Sequence, residues 1–377
     1  MMTISRSQAN RAGKILKTGK ISDEYYDAIS ILDAWRKQHE NPAKIFFKKL
    51  LEITNKYPNS IATYRLKRKE SILNKLNRNN NHFKLGEIDD IVGCRVIVDS
   101  VDEVYKIYNE IIDLKQSGYI GIKTIKDYIK EPESSGYRSL HVIINQLCSY
   151  EEESRTYRIE LQIRTRLQHY WSTAVEAMGE IDGVEYKNPT LSACDNTHRI
   201  KSCLKFFKLI SELVIAREYK NSKSNKTIES INAELEKPDF REIIEDLTLV
   251  QESISIKIHG SFDISEKRLY LLEFSRETQE LNVYSYTIDL TDEAIEDYNN
   301  SENNIRYKKK YGVNNDASQK KDKNQKDSSI TNSITVNTKV RDINRVLVYA
   351  KNNEQLYDAY PNYSYAIGKF IDFVETR

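Results

Sequence analysis

Apolar positions in the first part of the chain recur at helical spacing. In residues 1–60, side chains such as Leu32 and Trp35 return every three or four positions, which predicts helices. The basic stretch 64–78 keeps this spacing and is predicted to be helical as well. The run Ile91–Val98 is short, apolar and rich in β-branched residues, which is typical of a buried strand.

The middle of the chain alternates between helical and extended patterns. Helices are predicted over about 101–115, 167–178 and 198–220, and strands over 123–129, 139–147 and 156–165. A β-α-β-β-β order with flanking helices implies an α/β (α+β) fold, in which a mixed β-sheet is flanked by helices.

The pattern changes after about residue 225. A connecting helix is predicted over 226–250, and three segments between 253 and 288 alternate at period two, as in an antiparallel meander. Residues 345–350 form a last predicted strand, and the Asn-, Lys-, Asp- and Ser-rich stretch 299–333 is predicted to be a mobile loop. The predicted division is therefore a domain at 1–225, the connecting helix and a small β-rich domain at 251–377.

Composition limits the class of protein. A chain of 377 residues suggests two or three domains, and 39% hydrophobic with 30% charged residues is a globular balance. The net charge of +2 excludes a polycation, so a nucleic-acid site would need a local patch. No apolar run reaches a membrane span, and residues 1–20 lack the apolar core of a secretion signal. We therefore expect a cytoplasmic protein with no membrane partner.

Cations and a hydroxyl cluster in the stretch that starts at Arg65. Lys67, Arg68, Ser71 and Lys75 follow it, and on a helix the last three share one side. Such a group suits a polyphosphate. The alternative is a solvated basic helix face, which is the more common meaning of a charge run taken alone.

Two carboxylates precede the predicted buried strand. Asp89 and Asp90 stand at its mouth, followed by Gly93 and Arg95. Paired carboxylates could hold Mg²⁺, and the glycine would permit close approach of a ligand. The alternative is an aspartate turn before a strand.

The turn between two predicted strands combines chemically versatile side chains. Lys126 precedes it, and Tyr137, Arg138 and His141 lie within or just after it. A tyrosine in such a turn can stack on a nucleobase. The alternative is a polar hairpin in which Tyr137 is packed.

A row of polar side chains is predicted on one face of the strand at 156–165. Alternation aligns Glu160, Gln162 and Arg164, while Leu161 and Ile163 face the core. A carboxylate, an amide and a guanidinium in one row make a poor core, so this row is the strongest candidate for a site.

Taken in order, these motifs resemble the RelA/SpoT-type nucleotide pyrophosphokinase domain. The resemblance runs from about Arg65 to Glu176 and depends on RLKRKESILNKL, DIVGCR, KDYI with SGYRSLH, and ELQIRT followed by HYWSTAVE. Four ordered motifs at compatible spacing are far more specific than any one of them.

The resemblance implies a role for each matching residue. Arg65 and Arg95 would sandwich the adenine of ATP, and its phosphates would be held by Lys67, Arg68, Ser71 and Lys75. The implied catalytic group is Asp90, Glu160 and Gln162, of which Asp90 and Glu160 would bind Mg²⁺. The implied acceptor group is Lys126, Tyr137, Arg138, His141, Arg164 and His169.

The implied reaction moves the β,γ-pyrophosphate of ATP to a ribose 3′-hydroxyl and releases AMP. Catalysis of this kind requires alignment and charge neutralisation more than covalent chemistry. No His-Asp hydrolase constellation precedes Arg65, so the resemblance implies a synthetase without its own hydrolase.

One departure points to a subgroup. His169 precedes Tyr170-Trp171 where small alarmone synthetases have an asparagine or similar residue. With the NRAGK stretch at 10–14, this is similar to the fused toxic small alarmone synthetases (toxSAS) of the CapRel type, which join toxin and antitoxin in one chain for anti-phage defence. The resemblance implies the 3′-terminal adenosine of tRNA as acceptor. The alternative keeps the chemistry and makes (p)ppGpp or (p)ppApp from a free nucleotide.

Both ends of the chain agree with that subgroup. Arg6, Arg11, Lys14 and Lys17 could contact RNA phosphates, with a solvated helix face as the equally weighted alternative.

The tail contains Tyr357, Tyr360 and Tyr363 at Tyr-x-x-Tyr spacing. The resemblance implies that such tyrosines plug the adenine site, whereas the alternative is ordinary packing of the last helix. It also implies release by a phage trigger protein, with the major capsid protein as candidate. A monomer is expected because the C-terminal domain could inhibit within the same chain. A catalytically dead RNA-binding module is a third hypothesis, which retention of the catalytic residues disfavours.

Overall fold

The structure is a computed structural model that describes residues 3–77, 83–150, 153–187, 197–219, 222–253, 255–259, 268–275, 278–302, 343–350, 356 and 364–376. Its helices are α1 Arg6–Lys17, α2 Asp23–Gln38, α3 Glu40–Thr54, α4 Lys69–Asn77, α5 Val101–Gln116, α6 Arg166–Asp182, α7 His198–Tyr219, α8 Ser222–Leu235, α9 Pro238–Glu252, α10 Thr291–Glu302 and α11 Ser364–Glu375. Among these described helices, none has the length and apolar character that crossing a membrane requires.

Nine strands within the described ranges form one continuous sheet. They are β1 Ile61–Leu66, β2 Val92–Val98, β3 Gly121–Asp127, β4 Leu140–Tyr150, β5 Glu153–Thr165, β6 Ser255–His259, β7 Arg268–Ser275, β8 Glu280–Thr287 and β9 Ile343–Ala350. Their spatial order is β3-β4-β5-β2-β1-β9-β7-β8-β6. The pairs β2–β5 and β6–β8 are parallel and the others are antiparallel, so the predicted mixed sheet flanked by helices is confirmed.

Several element predictions are wrong in detail. Residues 61–66 form a strand that pairs with β2, because apolar and β-branched residues dominate this segment, so Arg65 does not lie on a helix. Pro238 begins a second helix, since proline is well placed at a helix start and poorly placed inside one, and the predicted connecting helix is therefore two helices, α8 and α9.

The C-terminal third also differs from its predicted pattern. Strand β6 runs parallel to β8, so the three segments do not form a purely antiparallel meander. Helix α10 extends to Glu302, so the start of the predicted loop at 299–333 is helical. The remainder of that loop lies outside the described residues.

The C-terminal strands are built into the sheet of the N-terminal part. Strand β9 pairs with β1 on one side and with β7 on the other. Tyr298 of α10 lies in the same core as Tyr64, and its hydroxyl accepts a hydrogen bond from the backbone N–H of Leu66 at 2.7 Å. The predicted boundary at residue 250 is therefore crossed by both the sheet and the core.

Helix α1 is positioned by small residues. Ser5 and Gln8 form a capping box at its start, and its buried face includes Ala9, Ala12 and Gly13. The amide of Gly86 donates to Asn10 Oδ1 at 2.8 Å, and a Cβ on Gly13 would lie 2.8 Å from Leu85 Cβ. Part of the NRAGK stretch therefore packs α1 onto the turn before Asp89.

Replacing Gly86 by alanine is expected to destabilise this packing. The new Cβ would lie 2.6 Å from Arg6 Cγ and 2.9 Å from the Arg6 carbonyl oxygen. Overpacking of this kind costs about 1–3 kcal/mol in the free energy of unfolding, measurable by urea denaturation. Gly93→Ala is the matched control, because its Cβ would meet only Glu160 O at 3.7 Å. Equal stability of Gly86→Ala and wild type would contradict the packing account.

Buried His39 is expected to make the protein sensitive to acid. Burial lowers its pKa from 6.5 to about 4, and its Nδ1 donates to the carbonyl of Trp35. Because the unfolded chain binds the proton first, unfolding free energy should fall as the pH is lowered from 6.5 towards 4, by up to about 3 kcal/mol. His39→Asn, which keeps a donor, should lose that pH dependence, whereas His198→Asn at an exposed position should not. Parallel pH profiles for His39→Asn and wild type would refute this.

Candidate active site

One register row of the sheet gathers polar side chains from five strands. The aligned positions are Lys126 on β3, His141 on β4, Gln162 on β5, Arg95 on β2 and Thr63 on β1. Residues aligned in a ladder share a face of the sheet, so residues distant in sequence meet here. The next row contains Glu160, Gly93 and Arg65.

Glu160 is held from two sides. Its Oε1 lies 3.3 Å from His141 Nδ1, and its Oε2 accepts a hydrogen bond from Gln162 Nε2 at 2.9 Å. Burial raises the pKa of Glu160, but the bond and charge of His141 outweigh it, so the pKa is lowered. The structure therefore presents an ionised, oriented carboxylate.

Tyr137 extends this arrangement on the side away from Glu160. Its hydroxyl lies 2.8 Å from His141 Nε2. Burial alone would lower the pKa of His141, but Tyr137 and Glu160 raise it to about 9, which favours the protonated ring. Tyr137 is only 9% exposed and packs against Trp171. The packed alternative considered for this tyrosine thus describes its arrangement in this structure.

Two lysines converge on Asp90. Lys67 Nζ donates to Asp90 Oδ2 at 2.8 Å, and Lys75 Nζ donates to Oδ1 at 2.9 Å. Burial raises the pKa of Asp90, but the two ammonium groups lower it well below its usual range. Lys67 and Lys75 are therefore cations that could bind a polyphosphate, and in this structure both are paired with Asp90.

The donor set fits Mg²⁺ bound through a nucleotide. Within the described ranges, no three His, Cys, Asp or Glu residues cluster to hold a metal by themselves. Asp90 and Glu160 are close enough to interact electrostatically, and both are ionised. Mg²⁺ commonly takes one or two protein carboxylates with phosphate oxygens and waters, so these two carboxylates suit Mg²⁺ carried by ATP.

Two guanidinium groups border a narrow cleft beside these carboxylates. Its lining includes Arg65, Arg95, Glu160 and Gln162, together with Val346 of β9. The cavity has a volume of about 20 Å³, which is room for one water molecule. Arg95 Nε donates to Gln162 Oε1 at 3.3 Å, and burial lowers the pKa of Arg95 to about 9. A C-terminal strand therefore contributes a wall of the candidate adenine site.

The remaining residues predicted for ATP phosphates lie beside that cluster. Arg68 immediately precedes α4, and its carbonyl accepts the N–H of Ile72. Ser71 and Lys75 lie on α4. The helix is shorter than predicted, yet it keeps Ser71 and Lys75 in neighbouring turns.

Three residues predicted to bind the acceptor instead form hydrogen bonds within the protein. Arg138 donates to Ser211 Oγ at 3.0 Å and to the carbonyl of Ile129 at 2.9 Å. Arg164, 1% exposed, donates from Nη2 to His169 Nδ1 at 2.7 Å, and His169 is fully buried. Because arginine only donates, His169 must be deprotonated at Nδ1. In this arrangement His169 orients Arg164 and does not reach a bound acceptor directly.

Lys187 was not found from the sequence. Its ammonium donates to Ser172 Oγ at 2.6 Å, pairs with Glu176 and lies 5.6 Å from the centre of the Tyr137 ring. Gly183, with φ 66°, ends α6 in a left-handed turn that brings this lysine back to the helix. A lysine that follows a glycine C-cap belongs to no sequence motif, so its position near Tyr137 is known only from the structure.

The N-terminal cations form an exposed face on α1. Arg6, Arg11 and Lys14 are exposed and Lys17 is half-buried, so they are accessible to a large anion. The tyrosines predicted to plug the site, Tyr357, Tyr360 and Tyr363, lie outside the described residues, and the plug stays a prediction.

Comparisons with known proteins agree with the motif order. Residues 64–189 match the sequence model described as "Region found in RelA / SpoT proteins". GTP pyrophosphokinase YwaC of Bacillus subtilis is 36% identical over 113 residues, which are 29% of this chain and 52% of that protein. GTP pyrophosphokinase YjbM of the same organism is 31% identical over 119 residues, 31% of this chain and 54% of that protein.

Two solved structures also align with this chain. The small alarmone synthetase 2 of Bacillus subtilis is 27% identical, with a TM-score of 0.39, over 48% of this chain and 92% of that chain. The small alarmone synthetase 1 of Bacillus subtilis bound to its product pppGpp is 21% identical, with a TM-score of 0.38, over 52% and 94% of the two chains. The chain spans about half the length of the curated relatives it matches.

Proposed function

We propose that this protein is an ATP-dependent pyrophosphokinase, which transfers the β,γ-pyrophosphate of ATP to a ribose 3′-hydroxyl and releases AMP. The observation that carries the proposal is the position of Glu160: a buried, ionised carboxylate fixed by His141 and Gln162 beside the Lys67–Asp90–Lys75 cluster. The RelA/SpoT region supports it independently.

In this proposal each cluster has a separate task. Lys67 and Lys75 exchange Asp90 for ATP phosphates, and Arg65 and Arg95 enclose the adenine. Glu160 orients the attacking hydroxyl and receives its proton, while the bond between the α-phosphate and the β-phosphorus breaks and AMP leaves. Asp90 and Glu160 would hold Mg²⁺, which would neutralise phosphate charge when ATP is bound.

We propose the 3′-terminal adenosine of tRNA as the acceptor, so that modification blocks aminoacylation and translation during anti-phage defence. Support comes from the exposed cations of α1 and from the packing of α1 on the turn that leads to Asp89 and Asp90. His169, the departure that suggested this acceptor, supports it less strongly, because it binds Arg164 inside the protein.

The second candidate is synthesis of (p)ppGpp or (p)ppApp. The names of the matched relatives, both GTP pyrophosphokinases, favour a guanosine nucleotide as acceptor. The chemistry at Glu160 is the same in both cases, so only the acceptor distinguishes them.

We also propose that the C-terminal part restrains the enzyme until a phage protein binds it. Val346 lines the candidate adenine cleft, and in this proposal a tyrosine of the tail stacks between Arg65 and Arg95 by cation–π contact. Release would be a population shift that requires the trigger to prefer the open state.

The test uses the full chain in Mg²⁺ buffer with ATP labelled on the γ-phosphate. Wild type and a Tyr357→Ala/Tyr360→Ala/Tyr363→Ala variant are each offered bulk tRNA, GDP, GTP or ADP. Label on tRNA from the variant and not from wild type supports both the acceptor and the restraint. Label on GDP or GTP selects the second candidate, and no labelled acceptor from either protein overturns the proposed function.

A further inference from the structure

A second cavity lies across the sheet from the candidate active site. Residues alternate in facing along β5, so Arg155 and Tyr157 point away from the face that bears Glu160. They line a cavity of about 340 Å³ together with Trp35 and residues 4–6. This volume lies within the range of small-molecule sites, whereas the cleft beside Glu160 has about 20 Å³.

The cavity has a positive wall. Arg6 and Arg155 line it directly, and Arg158 is close enough to lower the pKa of both Arg6 and His39, after the larger effect of burial. The start of α1 also lies at this wall, because its N-cap residue, Ser5, lines the cavity. Helix N-termini favour anions, so the helix and the guanidinium groups act in the same direction.

The stem of Arg6 is fixed by the turn that supports α1. A Cβ on residue 86 would lie only 2.6 Å from Arg6 Cγ. The absence of a side chain at Gly86 therefore allows the arginine to pack against the turn. Arg155 Nη1 donates to the carbonyl of Ile4 at 3.3 Å. The fold therefore positions the guanidinium group of Arg155 and the stem of Arg6.

The lining of the cavity also includes two aromatic rings. Trp35 is 7% exposed and Tyr157 is 4% exposed, and both rings pack edge-on against His39 between them. Rings of this size provide stacking surface for a base, while arginines bind phosphate through their planar fork of donors. An anion with an aromatic ring, of about the size of a mononucleotide, would complement the arginines and the aromatic rings and would fit the volume.

We propose that this cavity binds a nucleoside phosphate, with the phosphate at Arg6 and Arg155 and the base against Trp35 and Tyr157. The ligand is either a free mononucleotide or the 5′-phosphorylated end of an RNA strand. This site is separate from the proposed reaction, because it does not share a residue with the cleft at Glu160.

The site has a short connection to the catalytic elements. Arg158 donates to the carbonyl of Glu87 at 3.1 Å and to Asp89 Oδ1 at 2.6 Å, and Asp89 precedes Asp90 in the chain. A ligand that draws Arg6 towards its phosphate acts on the same turn. Occupancy of the cavity therefore has a direct structural route to the phosphate cluster.

The two tryptophans allow the two sites to be measured separately. Trp171 packs against Tyr137 beside the candidate active site, and Trp35 lines the second cavity. In full-length Trp171→Phe protein, fluorescence from Trp35 is followed during titration with AMP, adenosine, inorganic phosphate or a 5′-phosphorylated tetraribonucleotide. Arg6→Gln and Arg155→Gln are compared with Arg241→Gln, an exposed arginine on α9 that does not line the cavity.

Saturable quenching by AMP or by the tetranucleotide is expected, at least tenfold weaker in Arg155→Gln and Arg6→Gln and unchanged in Arg241→Gln. Quenching by AMP alone would identify a free nucleotide as the ligand, and quenching by the tetranucleotide alone would identify RNA. Absence of saturable quenching by either probe overturns the proposal, as does quenching that both cavity variants retain. Circular dichroism excludes unfolding of either variant, and since no turnover is measured, the outcome does not depend on the proposed function.

Discussion

Glu160→Gln is expected to reduce pyrophosphate transfer by at least about 10²–10⁴-fold, the range usual for loss of a positioned acid–base group. Glutamine keeps the size of the side chain and one acceptor, but it cannot take a proton or bring a negative charge to Mg²⁺. His141 would also lose the carboxylate that, with Tyr137, raises its pKa to about 9. The measurement is the initial rate of labelled acceptor formation by the tyrosine-substituted full chain, with and without Glu160→Gln.

Two controls make that result specific. Glu245→Gln changes the same side chain at an exposed position on α9 and should leave the rate unchanged. Thermal unfolding should show that Glu160→Gln remains folded. A folded Glu160→Gln protein with a rate within tenfold of its parent would mean that Glu160 is not the residue on which the chemistry depends.

Removal of residues 251–377 is expected to prevent stable folding, not to release an active fragment. The deletion takes away β9, which pairs with β1, and core side chains that include Tyr298, Leu347 and Tyr349. It also removes α11, whose Phe370 packs against Phe206 and Phe207. Each large apolar side chain contributes about 1.5–3 kcal/mol by burial, and a domain has only about 5–15 kcal/mol of net stability.

Soluble yield and the cooperativity of thermal unfolding of the 1–250 fragment would measure this effect. The matched control deletes residues 306–338 and joins the ends with a short linker, which leaves every described helix and strand in place. We expect the control to unfold cooperatively and the fragment to aggregate or to lack a transition. A fragment as stable as the full chain would restore the boundary expected from the sequence.

The row of polar side chains on β5 could be predicted from the sequence because strand alternation is a local property. The spacing of Glu160, Gln162 and Arg164 placed them on one face, and the ladder supplies His141 and Arg95 to the same row. What alternation cannot show is burial by another element. Arg164 is predicted on the same face as Glu160, but it is buried and bonded to His169 of α6.

The wrong fold predictions have a common physical origin. Helix α4 begins three residues after the end of β1. The end of the strand was therefore predicted as part of the helix. The pairing of β1 with β9 joins residues such as Ala62 and Tyr349, and no local periodicity reports a contact of that sequence separation. Lys187 was missed for the same reason, since it reaches Tyr137 only through the turn at Gly183.

The most direct test of the central claim is to identify both products of the reaction. The tyrosine-substituted full chain is incubated with ATP, Mg²⁺ and the acceptor that becomes labelled, and the products are analysed by mass spectrometry and phosphorus NMR. We predict one AMP for each acceptor molecule that gains two phosphoryl groups at its 3′-oxygen. Release of ADP with a single phosphoryl group on the acceptor would contradict pyrophosphate transfer.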